Sequence, residues 1–433
     1  MEGQGTHPAM PAAAVAVSVV LDDDDLLREI ILRLAFPTDL VRSAAVSRRW
    51  LRVASAPAFL RRYRALHPPR VLGLFAKHAG GSLFEPLPHP RGLAAAARRA
   101  AKGAMLGSLG GGEPLPVYDC RNGRVLMDLS DPFDRGEGAL AVVSPLLHAS
   151  RSLAVLPPVP LAARPPPVSA MGDDDTLLGR ATDVCILLPE DGGDGQSYTV
   201  VTLVRSKRVD WRVRWEFFAK VSVLRAGAWD DDVVRATAPI ELPARCRGDT
   251  TWNRVLLVQG KLYVLGMQSH AILVLDLASM AASFINLPDG VRHEQDGDLD
   301  LFRSNDAGLN LIHVNGFQAR LWRRGGDDHD HDDGDGMAAG NWVLVDDIGV
   351  RRVFDHLTKV GGKMNIGGLV GVIKVGDDCD FMFLCVDGDV LYMDIRRKMV
   401  KKIFEASPKR GGVLPVIHPL TMVWWPPIFP VLE

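Results

Sequence analysis

The 433-residue sequence lacks most of the features that usually give a function away. No run approaches the roughly 18 consecutive apolar residues needed to cross a bilayer, which excludes a helical membrane span. The five cysteines, Cys120, Cys185, Cys246, Cys379 and Cys385, are dispersed and form no Cys-x-x-Cys pair. An odd, scattered set fits buried thiols in a reducing compartment and argues against a disulfide framework or a zinc site. The formal net charge is −2, so the overall balance asks for neither a polyanionic nor a polycationic partner. Gly-x-Ser-x-Gly, a Walker loop, His-Glu-x-x-His and a dinucleotide fingerprint are all missing, and with them the commonest hydrolase, nucleotide-binding, metalloprotease and dehydrogenase signatures. With only five tyrosines there is little material for a Tyr/His/Cys metal set.

What is present divides into two textures. Residues 9–21 are apolar, but no Lys or Arg precedes them and they run into acidic sequence, so residues 1–20 read as a disordered leader rather than a signal peptide. A soluble protein of the cytoplasm and/or nucleus is expected. From Leu21 to Trp50 the pattern is helical. Leu26, Leu27, Ile30, Ile31 and Leu34 fall on one stripe of a helix that Asp24 or Asp25 is expected to cap, with four consecutive aspartates at the positive end of its dipole. Pro37 ends that helix, Thr38 caps a second carrying Leu40, Ala44 and Ala45, and Ser47 caps a third on which Val46, Trp50 and Val53 face back. A fourth helix carries Phe59, Leu60, Tyr63 and Leu66 as far as Pro68. Three short helices in about 35 residues are not expected to bury so many aliphatic side chains among themselves, so the stripe has to be covered by something else. Residues 26–70 also hold ten Arg against Glu29 and Asp39. No base-reading motif accompanies them, so a solvated face or one complementary to an acidic partner is expected, not nucleic acid.

The order Leu26-Leu27, Ile30-Ile31, Leu34, Phe36-Pro37, Leu40 and Val46-Ser47-Arg48-Arg49-Trp50 resembles the F-box, the helical module that binds the Skp-family adaptor of SCF-type ubiquitin ligases. The continuation through Pro57-Ala58-Phe59-Leu60, Tyr63 and Leu66-His67-Pro68-Pro69 is similar to plant, especially grass-type, F-box proteins. The resemblance implies that Leu21, Leu26, Leu27, Ile30, Ile31, Leu34, Pro37, Leu40, Val46 and Trp50 bind the adaptor and, through it, a cullin. Two departures are visible: Leu21 is followed by four aspartates where the family has Leu-Pro, and Leu34 is followed by Ala35.

Beyond Leu72 short β-rich runs alternate with Gly, Pro, Asn and Asp, and no helical pattern intervenes, so antiparallel sheets are expected. Asn122-Gly123, Gln259-Gly260, Asn315-Gly316 and Asp387-Gly388 read as hairpin turns. Loose self-similarity at roughly 40 to 55 residues points to a β-propeller, for which six blades are expected, closed by the apolar C-terminal strand pairing with an early one. Asp119-Cys120-Arg121-Asn122-Gly123-Arg124, Val274-Leu275-Asp276-Leu277 and Trp424-Trp425-Pro426-Pro427 resemble the F-box-associated propeller of the same plant proteins. The fold class is therefore multidomain α plus all-β: leader 1–20, helical F-box 21–69, and a propeller-like domain 70–433. Mobile insertions are expected near 94–112, 157–175 and 325–340.

Asp327–Asp335, with His329 and His331, has metal-ligand residue types, but a flexible Gly/Asp loop lacks fixed geometry and the spacing does not fit an EF-hand. Neither a metal nor a cofactor is expected. The acidic groups Asp230–Asp232 and Asp377-Asp378 read as turns, and Trp211, Trp215 and Trp229 as blade core before recognition surface. The resemblance implies a non-catalytic receptor: the F-box on the adaptor and the propeller on a target protein for ubiquitination, with no nucleic-acid or membrane partner. A scaffold outside any ligase, and less readily a propeller enzyme, are the alternatives.

Overall fold

The computed structural model describes residues 23–34, 37–67, 70–78, 81–88, 91–105, 115–129, 139–146, 153–158, 180–189, 197–209, 213–225, 227–229, 235–238, 240–241, 252–266, 270–293, 297–303, 308–325, 337–338, 342–349, 370–376, 380–386, 388–395, 399–405 and 416–422. The chain forms two compact units: 1–70 with 422–433, and 71–421.

The first unit is built from α1 (Asp24–Leu32), α2 (Pro37–Ala44), α3 (Arg48–Ser55) and α4 (Pro57–Leu66). Asp23, one residue before the expected caps, closes α1 by accepting from the backbone N–H of Asp25 at 2.8 Å and of Leu26 at 3.1 Å. Those bonds hold its carboxyl below the usual carboxylate range. Ser47 caps α3 as expected, accepting from Trp50 N–H at 3.2 Å. Pro37 opens α2 instead of Thr38 capping it: at the first helical position the missing N–H costs nothing.

The second unit is a six-bladed propeller. In chain order, blade two is Val117–Arg121, Arg124–Asp128, Leu140–Val143 and Leu153–Val155, and blade three is Arg180–Leu187, Tyr198–Val209 and Val213–Arg225 with three short outer strands. Blade four is Trp252–Val258, Lys261–Gly266, Ala271–Asp276 and Ala282–Asn286. Blade five is Leu299–Arg303, Leu309–Asn315, Gln318–Arg324 and Trp342–Gly349, and blade six is Val370–Val375, Phe381–Val386, Asp389–Asp394 and Met399–Glu405. Blade one closes the ring from both ends of the unit: the late strand Ile417–Thr421 pairs antiparallel with Val71–His78, which pairs with Gly81–Pro86. Closure by the C-terminal segment was expected; the strand is Ile417–Thr421, while Trp424 to Pro427 lie outside the described residues.

Between neighbouring blades apolar side chains fill the wedge, as Phe302, Ile312 and Leu321 do against Val372, Leu384 and Leu391 between blades five and six. Turn chemistry fixes register. Asn122 and Gly123 (φ 51° and 67°), and Gln259 and Gly260 (φ 50° and 72°), hold the paired positive angles of tight hairpins.

Two of the expected insertions contain regular structure. Residues 91–105, most of the expected 94–112 loop, form helix α5 (Arg91–Met105). Alanine is the strongest helix former, and Leu93, Ala97 and Ala100, at i, i+4 and i+7, bury one face as the helix lies against the two N-terminal strands of blade one. Within 325–340, Met337–Ala338 pairs in parallel with Phe284 and Ile285 on the edge of blade four.

Candidate interaction surfaces

The helical unit has a core of its own: Leu27, Ile31, Leu32, Leu40, Ala44, Val53, Ala54, Phe59 and Tyr63. Part of the aliphatic stripe is covered within the unit, because α4 lays Phe59 and Tyr63, 2% and 1% exposed, against α1 and α3. Hydrogen bonds lock α1 in place over that core. Tyr63 donates its hydroxyl to Leu34 O at 2.9 Å, two residues past the end of α1, and a ring nitrogen of His67 lies 2.6 Å from Leu32 O, the helix's last carbonyl. Burial pushes the Tyr63 hydroxyl up to about 12, so it stays a donor. Arg49 Nε pairs with Asp24 at 2.7 Å and Arg62 with Glu29 at 2.6 Å, tying α1 to α3 and α4.

This arrangement divides the expected adaptor-binding residues. Leu27, Ile31 and Leu40 have no exposed surface and belong to the core. Leu34 and Trp50 pack at the core's margin. Leu26 (45% exposed), Ile30 (39%) and Val46 (64%) face outward, which also corrects the expectation that Val46 packs back with Trp50 and Val53. Pro37 heads α2, its side chain is outside the described residues, and Leu21 lies outside them altogether. The reading of the stripe missed Leu32, a core residue off the i, i+4 pattern, and Val41, 37% exposed. The same unit exposes the cations Arg33, Arg42, Arg48, Arg52 and Arg61. A ready-folded helix presenting unpaired apolar side chains, in a unit that exposes arginines, can dock on an apolar surface with acidic surroundings.

In the propeller the inner strands carry buried charge, but each described carboxylate there bonds to the backbone. Asp119 of blade two accepts from Leu188 N–H, just past the inner strand of blade three, at 2.7 Å. Asp300 of blade five likewise accepts from Val375 N–H of blade six at 3.0 Å and lies 3.9 Å from Lys374 Nζ. Arg254 of blade four reaches past blade five to donate to Ile373 O at 2.6 Å and Val372 O at 3.1 Å of blade six. These are pins between blades, not an acid/base pair poised for substrate. Burial drives His418, on the closing strand, down to about 4. Trp229 is half-buried against the core between blades two and three, edge-on to Tyr198 at 5.2 Å and donating to Pro158 O at 2.7 Å. Among the described residues no three His, Cys, Asp or Glu side chains converge on a metal position. The Asp327–Asp335 run, Asp230–Asp232, Asp377-Asp378, Trp211, Cys246 and Cys379 lie outside the described residues. Burial, then the neighbouring Asp119, raises the Cys120 thiol well above its ordinary range, which disfavours the thiolate.

No curated protein sequence matches the chain. Among solved structures it is similar to the major allergen Mala s 1 of Malassezia sympodialis, at 13% identity over 67% of this chain and 78% of that one, with a TM-score of 0.29. It is also similar to apo AztD of Citrobacter koseri, at 9% identity over 81% and 98% with a TM-score of 0.27. A luciferin-regenerating enzyme matches at 10% identity over 66% and 76% with a TM-score of 0.28. Similarities this low have no bearing on function. Residues 116–429, the greater part of the chain, match the family described as F-box protein AT5G49610-like, beta-propeller, and the chain belongs to that family.

Proposed function

We propose that the protein is a non-catalytic receptor of an SCF-type ubiquitin ligase: the helical unit binds a Skp-family adaptor, joined through it to a cullin, and the propeller holds a target protein for ubiquitination. The observation that carries this reading is the outward pair Leu26 and Ile30 on α1, left exposed over a core that is already complete without them. Their exposure does nothing for the fold of the unit, and membership of an F-box propeller family supports reading a Skp-family adaptor as what covers them. Catalysis is then by proximity: holding the target raises the effective concentration of its lysines near the charged conjugating enzyme.

The test is co-purification with a Skp-family adaptor, comparing wild type with Leu26→Asp/Ile30→Asp. Seating two unpaired carboxylates in an apolar interface costs several kcal/mol, enough to abolish micromolar binding. Since both positions are exposed in the free protein, the variant is expected to keep its helical circular dichroism while losing the adaptor. Failure of the wild type to bind overturns the proposal.

A further inference from the structure

Outer strands elsewhere in the propeller are covered or spoiled for pairing. Met337–Ala338 lies along the outer strand of blade four, and three short strands pair with Val213–Arg225 of blade three. Leu153–Val155 of blade two is kept to three residues, and short edges pair poorly. The outer strand of blade six exposes Lys401 and Lys402, and charge on an edge discourages pairing. Trp342–Gly349, the outer strand of blade five, differs. Among the described residues no strand pairs with its side away from Gln318–Arg324. It exposes three consecutive apolar side chains, Val343 (60%), Leu344 (46%) and Val345 (53%). The register shifts by one residue at Val345, a bulge, and yet all three side chains stay in water.

Charge along this strand is polarised. Arg324 and Arg323 stand opposite Trp342 and Val343 at its start. Asp346 and Asp347, both exposed, stand at its end, where Asp347 meets Arg320 at 3.4 Å. A strand with cations beside one end and carboxylates at the other is complementary to itself turned through half a rotation. Antiparallel pairing of two copies about Leu344 sets Leu344 opposite Leu344, Val343 opposite Val345 and Trp342 opposite Asp346. The acidic end of each copy then lies beside the arginine-flanked start of the other. The two Asp346 stand four positions apart, about 14 Å, beyond the screening distance of physiological salt. Pairing all eight residues would instead set Leu344 against Asp347 and Val345 against Asp346, forcing carboxylates among apolar side chains.

We infer that the outer strand of blade five pairs with the same strand of a second copy, giving a twofold dimer joined edge to edge. The strand's own charge pattern supplies the complement, which favours a second copy over a foreign strand. About five pairs of residues make a small interface, so a micromolar dissociation constant is expected. The inference is independent of the adaptor reading.

The experiment is sedimentation velocity of the full chain over a concentration series reaching about 100 μM. Wild type is expected to move from the 47.1 kDa chain toward twice that mass. Val343→Lys/Val345→Lys is expected to raise the dissociation constant at least about thirtyfold. Met399→Lys, the same change at an exposed apolar residue on the outer strand of blade six, is expected to change it less than about threefold. Should the double change lower the thermal midpoint, cysteine cross-linking decides. Opposite residues of an antiparallel pair have Cα atoms about 4.5–5.5 Å apart, within disulfide reach. Leu344→Cys is therefore expected to link to itself on mild oxidation, whereas Asp347→Cys, about 20 Å from its counterpart, is not. The joined peptides are identified by mass spectrometry, since Cys120, Cys185 and Cys385 are also free. A monomeric wild type, a dimer untouched by the double change, equal weakening by Met399→Lys, or equal linking at position 347 overturns the inference.

Discussion

Ile30 and Ile31 are neighbours of identical chemistry whose surroundings separate their roles. Ile31 has no exposed surface and packs among Leu27, Leu40 and Tyr63, while Ile30 is 39% exposed. Ile31→Ala removes three carbon groups from a closed core, about 2.4 kcal/mol at about 0.8 kcal/mol each, and the cavity brings the loss to about 3–4 kcal/mol. Ile30→Ala removes the same groups from a site where water fills the gap, and scaling by the buried fraction gives at most about 1.5 kcal/mol. The whole-chain melt is dominated by the propeller, so the assay is hydrogen exchange of the amides in α1 to α4 in the intact protein. Ile31→Ala is expected to speed their exchange at least a hundredfold, taking about 1.4 kcal/mol per decade, and Ile30→Ala no more than about tenfold. Adaptor affinity is expected to respond in the opposite order once protein concentrations are corrected for the folded fraction. If Ile30→Ala loosens the unit as much as Ile31→Ala, the division of the stripe into core and surface is wrong.

Asp300→Ala strips the acceptor from Val375 N–H and the partner from Lys374, and is expected to cost the propeller about 2–4 kcal/mol in urea unfolding, where an unchanged midpoint would refute the pin. Gly73→Ala is expected to lower stability by at least about 1–3 kcal/mol: a Cβ there would run into the Phe84 ring and stand 2.6 Å from Glu85 O, and normal stability would mean that blade one yields easily. His418 takes up a proton near pH 6.5 in the unfolded chain and near 4 in the fold, so between those values the unfolded state binds more protons and stability falls as pH falls. The urea midpoint is expected to drop from pH 7 to pH 4.5 with a smaller slope in His418→Gln, and equal slopes would dismiss the residue's burial as the cause.

Much of the propeller was legible because its signals are local. Asn122-Gly123 and Gln259-Gly260 need positive φ and mark hairpins wherever they occur. Residues 91–105 were misread since an Ala- and Gly-rich string looks like a linker until the strands of blade one cover Leu93, Ala97 and Ala100. The helical stripe shows the deeper difficulty. Leu26 and Leu27 are 100° apart on the helix, so both belong to one broad apolar face, and only the position of α4 decides which flank is covered. The Asp119 and Asp300 pins were invisible, because each joins residues some seventy positions apart through a backbone N–H that any sequence supplies.

The pairing of Ile417–Thr421 with Val71–His78 also sets a timetable. A ribosome adding about 5–20 residues per second finishes the late strand roughly 20–70 s after the early one. Throughout that interval the inner edge of Val71–His78, a strand with Leu72, Leu74 and Phe75, has no partner. Unpaired edges of this kind invite pairing with other chains. The nascent protein thus depends on chaperone cover in proportion to its translation time, and slow codons between blades two and six would lower its yield without altering a single contact of the finished ring.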